Sequence, residues 1–359
     1  METPQLPKIS VVVPMYNCEA YIGACLESLK NQTLTNFEAI CVDDASTDKT
    51  LENARVCIGT DERFKIREMQ ENRGQSAARN VALDVAQGEY VVLLDADDYL
   101  VVDALEKLIN RAKKQDLDDL YFSARSFYDS KEAQELFWEE LDTRAPFDEV
   151  ADGKELFVAF DSKNEFFPHA ALRMVKRSLI EENNIRFYEG IIHEDTLFTF
   201  QTMVASKRSS FLSEVLYMRR VRPNSTMASR VRTIATVEGH FICVREMKRW
   251  MREHAHTLDD AFIEAMMRQL DIYARTASYD WCDNEDEQAK AAYVASLSKE
   301  ERIDFFADVV YRGEETRRIK EDILRPPAYY FGDAVMNALR FVKRKIVKSL
   351  RPREQGEKR

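Results

Sequence analysis

At 359 residues, 45% of them hydrophobic and 32% charged, the chain has the composition of a globular protein of about two domains. A formal net charge of −11 argues against broad nucleic-acid binding, and no apolar run approaches the roughly 18 residues that a membrane-spanning helix needs. Six cysteines without C-x-x-C spacing, and an N-terminus M-E-T-P-Q-L-P-K without an apolar leader, predict reduced thiols in a cytosolic protein.

Residues 8–14 (K-I-S-V-V-V-P) form a β-branched run, predicted as a buried strand stopped by Pro14. The turn Met15-Tyr16-Asn17 leads into a predicted helix over 19–31, with Tyr21, Ile22, Cys25, Leu26 and Leu29 at helical spacing. A second strand, 37–42, ends in D-D-A-S-T-D, where Ser46 or Thr47 is expected to cap the next helix. A third strand at 64–69 is followed by the turn Asn72-Arg73-Gly74 and a helix over 76–86 that carries Arg79. Gly88 closes that helix before an apolar strand over 89–94.

Three carboxylates in four positions, Asp95, Asp97 and Asp98, follow at once. Alternation along a strand sets Asp95 and Asp97 on one side, with Asp98 beginning the turn. Carboxylates crowded together repel one another unless a cation sits among them, and hard Mg²⁺ or Mn²⁺ suits oxygen donors. An Asp-rich cap is the plain alternative, because 101–114 has a helical pattern. Four strand–helix alternations predict an α/β fold, a mostly parallel, Rossmann-like sheet with helices on both faces. Ligands of such sheets gather at the carboxyl ends of the strands. Pro14 to Asn17, Asp43 with Asp44, and Asp95 to Asp98 all fall there, and three polar clusters on one edge predict a binding cleft.

Further on, 119–127 is a strand candidate and 129–152 is loop-rich. Helical stretches at 153–160 and 176–183 flank a predicted strand at 169–174. His193-Glu194-Asp195 opens an amphipathic run, 196–205, whose acidic first turn suits the helix dipole. A strand over 210–220 and a loop from Arg222 to Thr226 follow. From about residue 230 the pattern is all-α (231–253, 258–282, 286–297 and 299–311), and Pro326-Pro327 breaks it. Beyond, apolar residues recur at steps of three and four among the basic residues of 340–359. Such a basic amphipathic helix suits an anionic membrane surface, or alternatively packs on the body with a solvated basic face.

The stretches V-V-V-P-M-Y-N-C-E-A-Y-I, C-V-D-D-A-S-T-D-K-T, N-R-G-Q-S-A-A-R-N and G-E-Y-V-V-L-L-D-A-D-D-Y-L resemble, in order and spacing, the nucleotide-sugar domain of family-2 glycosyltransferases with the GT-A fold. The resemblance is close over 8–127 and looser to about 227, through I-H-E-D-T-L-F and Y-M-R-R-V-R-P-N-S-T. It implies a GT-A fold followed by an all-α region, divided as 1–127 (nucleotide-sugar half), 128–228 (acceptor and base half), 229–327 (helical extension) and 328–359 (basic amphipathic tail). It further implies that Pro14, Tyr16, Asn17, Asp44 and the adjacent Asp43 hold the nucleoside of a UDP-sugar. Glu19, Asn72, Arg79, Asp95 and Ala96 then lie beside the donor. Asp97, with Asp95 and Asp98, corresponds to the D-x-D motif for Mn²⁺ or Mg²⁺, and Arg222 and Ser225 to a loop closing over the diphosphate, with Arg219 and Arg220 as neighbouring candidates. Asp195 corresponds to the base of an inverting transfer to a hydroxyl of a glycan or lipid-linked oligosaccharide in cell-surface polysaccharide synthesis, at the inner face of the membrane. His193, whose ordinary pKa lies nearer neutrality, is the rival base on chemistry alone.

Other enzymes fit less well. A sugar nucleotidyltransferase needs a glycine-rich turn after the first strand, and P-M-Y-N-C-E has no glycine. No P-loop and no phosphatase-like Asp-x-Asp-Gly-Thr context is present. A non-catalytic nucleotide- or glycan-binding module that kept the fold is the alternative function.

Overall fold

The computed structural model describes residues 6–312, apart from 129, 132, 134–140, 143 and 222–232. Arg222, Ser225 and the basic tail therefore lie outside the described residues. Strands β1 (Ile9–Met15), β2 (Phe37–Asp43), β3 (Phe64–Glu68) and β4 (Tyr90–Leu93) lie in the order β3-β2-β1-β4, all parallel. The β-branched and leucine side chains of β1, β2 and β4 are buried on both faces, as a helix-covered parallel strand requires. Pro14, which cannot donate to a ladder, falls inside β1 but beyond its last β4 partner, the Val12–Leu93 pair. The strand thus runs one residue past the expected stop.

Helices α1 (Ile22–Lys30), α2 (Thr50–Ile58) and α3 (Gln75–Val85) connect these strands. Crossovers between parallel strands are right-handed, and β1, β2 and β3 step in one direction, so α1 and α2 share a face. The step from β3 to β4 runs back across the sheet, which sets α3 on the other face. The winding reverses between β1 and β4, and a crevice opens at the carboxyl ends of that pair.

The second half comprises β5 (Tyr99–Leu100), α4 (Ala104–Gln115), β6 (Asp119–Tyr128), β7 (Leu141–Asp142), β8 (Phe147–Ala151), α5 (Gly153–Ser162), β9 (Arg173–Lys176), α6 (Arg177–Glu182), α7 (Glu194–Ala205) and β10 (Ser209–Val221). The sheet continues as β4-β9-β6-β10-β5, with β7 on β6 and β8 on β10. Short β9 is antiparallel to both neighbours, whereas the long β1–β2 and β6–β10 pairings are parallel, so the sheet is mostly parallel. The strand expected at 169–174 begins later, because Leu172 N–H turns back to the His169 carbonyl at 3.2 Å. The stretch read as loop-rich contributes the edge strands β7 and β8.

The all-α region is present as α8 (Ile234–His254), α9 (Asp260–Asp283), α10 (Glu287–Ser296) and α11 (Lys299–Phe305), which continues as one π-helical turn, Phe306–Val310. It belongs to one compact unit with the sheet. A shared cluster explains this: Phe157 and Phe160 of α5, Phe200 of α7 and Phe211 of β10 pack with Met247 of α8 and Phe262 and Met266 of α9. Each such side chain contributes about 1.5–3 kcal/mol on burial, so α8 and α9 are held firmly on the α/β body.

Candidate active site

The loop after β1 is stitched to the loop after β2. Asn17 adopts a left-handed φ of 46°, which asparagine tolerates better than most residues. Its N–H donates to Ser46 Oγ at 3.1 Å, and its Oδ1 accepts from Thr47 N–H at 2.8 Å. Ser46 and Thr47 therefore brace Asn17 and do not cap α2. The first turn of α2 is instead served by Asp48, whose Oδ1 accepts from Thr50 N–H, and by Glu19, whose Oε2 accepts from Lys49 N–H. Glu19 thus ties the two loops together from outside α1. Tyr16, 48% exposed, stands at the mouth of the crevice beside half-buried Pro14.

Asp43 and Asp44 are both buried but are used differently. Asp44 gives one oxygen to Arg73 N–H and the other to Gly74 N–H, each at 2.8 Å, and so fixes the turn ahead of α3. Gly74, at φ 85°, occupies backbone space that a side chain would strain. Asp43 accepts from Ser46 N–H at 3.1 Å through Oδ2, while its Oδ1 is buried without a hydrogen-bond partner. Asn72 is exposed in the same turn.

Asp95 to Asp98 form a tight turn and not a strand extension: β4 ends at Leu93, and Asp98 N–H donates to the Asp95 carbonyl at 3.0 Å. Ala96 is buried inside the turn. Asp98 points inward, accepting from Tyr217 O–H at 2.7 Å and from Arg220 N–H at 2.6 Å. Burial foremost, and then Asp97 and Asp95, raise its pKa well above the carboxylate range. Tyr217 Oη also accepts from Asp95 N–H at 3.2 Å, and Arg220 Nε donates to the Asp97 carbonyl at 2.8 Å. The Arg220 guanidinium is itself held between the rings of Tyr21 and Phe127, 5.0 and 4.6 Å from their centroids. Half-buried Asp95 and Asp97 are the carboxylates left on the crevice side.

Arg79 unites the rest. Its side chain is 2% exposed, its Nη2 donates to Asp95 Oδ1 at 2.9 Å, and its Nη1 reaches Glu194 Oε1 at 2.8 Å and Asp195 Oδ1 at 2.9 Å. Its guanidinium also lies 5.0 Å from the Phe187 ring centroid. Burial disfavours its charge, but Asp195, Asp95 and Glu194 together hold it above the ordinary arginine range. One cation thus faces three carboxylates. Glu194, buried and also accepting from Gln75 Nε2 at 2.6 Å, absorbs part of the imbalance: burial first, and then Asp195, push its pKa up to about 7. Asp195, with 27% of its side chain exposed, is the accessible member of the pair.

His193 precedes them in a left-handed conformation, φ 73°. Burial, with His240 beside it, lowers its pKa to about 3, and its Nε2 is buried without a partner. A neutral imidazole so reluctant to take a proton is a poor base at neutral pH, which sets it behind Asp195. The motifs P-M-Y-N, D-D, D-A-D-D and H-E-D therefore meet at one crevice. Gln75, Phe187 and Tyr217, absent from the sequence-level set, complete the frame. Their signal was adjacency: Gln75 lies inside N-R-G-Q-S, and Tyr217 precedes M-R-R.

Residues 10–183 match the family model Glycosyl transferase family 2. This is a family-2 glycosyltransferase domain. Glycosyltransferase GlyA of Streptococcus pneumoniae is 31% identical over 222 residues, 61% of this chain and 31% of GlyA. In six further curated relatives the chain spans between 32% and 63% of their length. Among solved structures, Staphylococcus aureus TarS 1–349 in complex with UDP-GlcNAc aligns at TM-score 0.59 and 23% identity, over 84% of this chain and 79% of TarS. The mannosyltransferase PcManGT of Pyrobaculum calidifontis, in complex with GDP-Man and Mn²⁺, aligns at TM-score 0.54 and 20% identity, over 83% of this chain and 78% of that one. The likeness shows the GT-A fold. The family match of the glycosyltransferase domain ends before His193-Glu194-Asp195 and before the helices that pack behind them.

Proposed function

We propose that this chain is an inverting, metal-dependent glycosyltransferase. It moves a sugar from a nucleotide donor, a UDP-sugar, to a hydroxyl of a glycan or lipid-linked oligosaccharide in cell-surface polysaccharide synthesis. The observation that carries the reading is the Arg79 junction, which joins the D-x-D turn to the Glu194-Asp195 pair within hydrogen-bond distance of one guanidinium. A binding module has no need to register a metal-type turn against an accessible carboxylate. The donor class is supported by the UDP-GlcNAc held by TarS, and the metal by the Mn²⁺ that accompanies GDP-Man in PcManGT.

Asp95 and Asp97 offer hard oxygen donors that fit Mg²⁺ or Mn²⁺. Among the described residues no three His, Cys, Asp or Glu side chains form a metal cage. Mg²⁺ and Mn²⁺ held by one or two carboxylates keep open positions for phosphates and water. Such an ion supplies Lewis-acid neutralisation of the charge developing on the departing diphosphate. The protein's own residues do the rest. Asp44, whose carboxylate oxygens can each accept a further hydrogen bond, takes an N–H of the base with Asp43 beside it, and Tyr16 and Asn17 shape the nucleoside pocket. Asp195, steered by Arg79, takes the acceptor hydroxyl's proton as its oxygen attacks the anomeric carbon from the side opposite the diphosphate. General-base help of this kind contributes typically about 10²–10⁴-fold. Asp98 serves this site from behind, as the anchor of the turn. Arg222 and Ser225 keep their assignment to the diphosphate loop, and the tail its assignment to the inner membrane face. No described helix is long and apolar enough to cross a membrane.

The test is calorimetric titration of UDP, GDP and CDP with Mn²⁺ and then with EDTA. UDP is expected to bind best, and to lose at least tenfold in affinity without metal or in Asp97→Asn. Absence of binding by all three nucleotides overturns the donor-site reading.

A further inference from the structure

The loop that presents Asp195 is gripped by a helix that lies outside the family match. His193 heads α7 with φ 73°, and no side chain caps that helix. A non-glycine residue in this region is strained and persists only where its surroundings over-determine it. Three positions on one face of α8 provide those surroundings. Gly239 lies so close to the loop that a Cβ there would meet the Ile192 carbonyl oxygen at 2.0 Å. The His240 ring stands 3.9 Å, centroid to centroid, from the His193 ring. Cys243 Sγ donates to the His193 carbonyl oxygen at 3.6 Å. Behind them, Tyr273 of α9 lies 6.1 Å from the His240 ring and hydrogen-bonds the Thr196 side chain in the first turn of α7.

We propose that the helical extension is part of the active site: Gly239, His240 and Cys243 of α8 are positioning residues that hold Ile192 and His193 in the backbone conformation that aims Asp195. The inference rests on Asp195 being the base. Its logic is steric and local. Asp195 lies two residues from the strained position, so relaxing His193 towards a common backbone region would swing the start of α7 and break the Asp195–Arg79 contact. The nucleotide loops after β1 and β2 have none of these α8 contacts, and the turn after β4 meets the Asp195 loop through Arg79, so the clamp acts directly on proton transfer and on donor binding at one remove. The chain therefore divides its labour: the sheet binds the donor, and the appended helices set the base.

Gly239→Ala and His240→Leu test this, with turnover of a UDP-sugar, the Kd of UDP with Mn²⁺ and thermal unfolding measured on each. The expected result is a fall in kcat of about 10²-fold, the scale of an ångström-sized misplacement. The Kd of UDP should stay within twofold, and the protein should remain folded at the assay temperature. His193→Gly placed on His240→Leu should restore part of kcat, because glycine occupies the left-handed region without strain. Should Gly239→Ala fail to fold, His240→Leu carries the test. Unchanged kcat per folded molecule in His240→Leu overturns the inference, since a merely structural contact would move stability alone. Asp195→Asn run alongside separates the two readings. Retained turnover there removes the base assignment and this inference with it, whereas lost turnover there beside intact His240→Leu overturns this inference alone.

Discussion

Arg79 shows how one residue fixes the chemistry of several others. Removing its charge leaves three carboxylates facing one another across a site that excludes much of the solvent. Breaking a buried pair in this way costs about 3–5 kcal/mol, so Arg79→Met should lower the urea unfolding free energy by roughly that amount and abolish turnover. Glu194 gives a pH signature. Its pKa of about 7 in the folded chain lies above the ordinary 4.5, so the folded state holds the proton more tightly than the unfolded chain does. Its contribution to stability is therefore complete below pH 4.5 and is lost as the pH rises to about 7, a change of up to about 3 kcal/mol. Denaturant melts of wild type and Glu194→Gln between these limits should diverge in slope; parallel curves would show that Glu194 ionises normally. At this scale the sequence was informative but incomplete. It placed Asp43 and Asp44 together at the mouth, yet adjacent residues point apart. The backbone N–H groups of Arg73 and Gly74 show that Asp44 is drawn onto the turn, while Asp43 Oδ1 is buried without a partner.

Among the elements, β10 does more than complete the sheet. Tyr217 and Arg220 reach across to the D-x-D turn, and the turn's shape depends on a strand that lies more than a hundred residues later in the chain. Tyr217→Phe removes the hydroxyl shared by Asp98 and the Asp95 N–H, and leaves the buried Asp98 carboxyl with one fewer donor. The variant should stay folded but bind UDP with Mn²⁺ about tenfold more weakly, at a cost near the 1–3 kcal/mol of an unsatisfied buried group. Calorimetry checks it, and unchanged affinity would assign Tyr217 to packing alone. The local pattern could not disclose this coupling. An apolar run followed by aspartates reads as a strand with alternating faces, and the change to a tight turn depends on that distant strand. The antiparallel β9 was equally hidden, because strand direction leaves no mark on hydrophobic period.

At the scale of the whole molecule, the parallel half and its switch point were legible. β-branched runs bounded by turns, alternating with helices, admit few topologies. The helical extension was legible as helices but not as a partner. Periodicity reports that α8 has a buried face without naming what covers it, and that face meets the loop ahead of Asp195 as well as the aromatic cluster of α5 and α7. The central claim is that donor binding and proton removal occur at one junction built by Arg79. Its most direct test is release of UDP and transfer product from a panel of UDP-sugars, with lipid-linked and free glycan acceptors, by wild type and Asp195→Asn. The account predicts that Asp195→Asn binds UDP with Mn²⁺ as wild type does but transfers sugar at least 10²-fold more slowly. Equal transfer by the two proteins would contradict it.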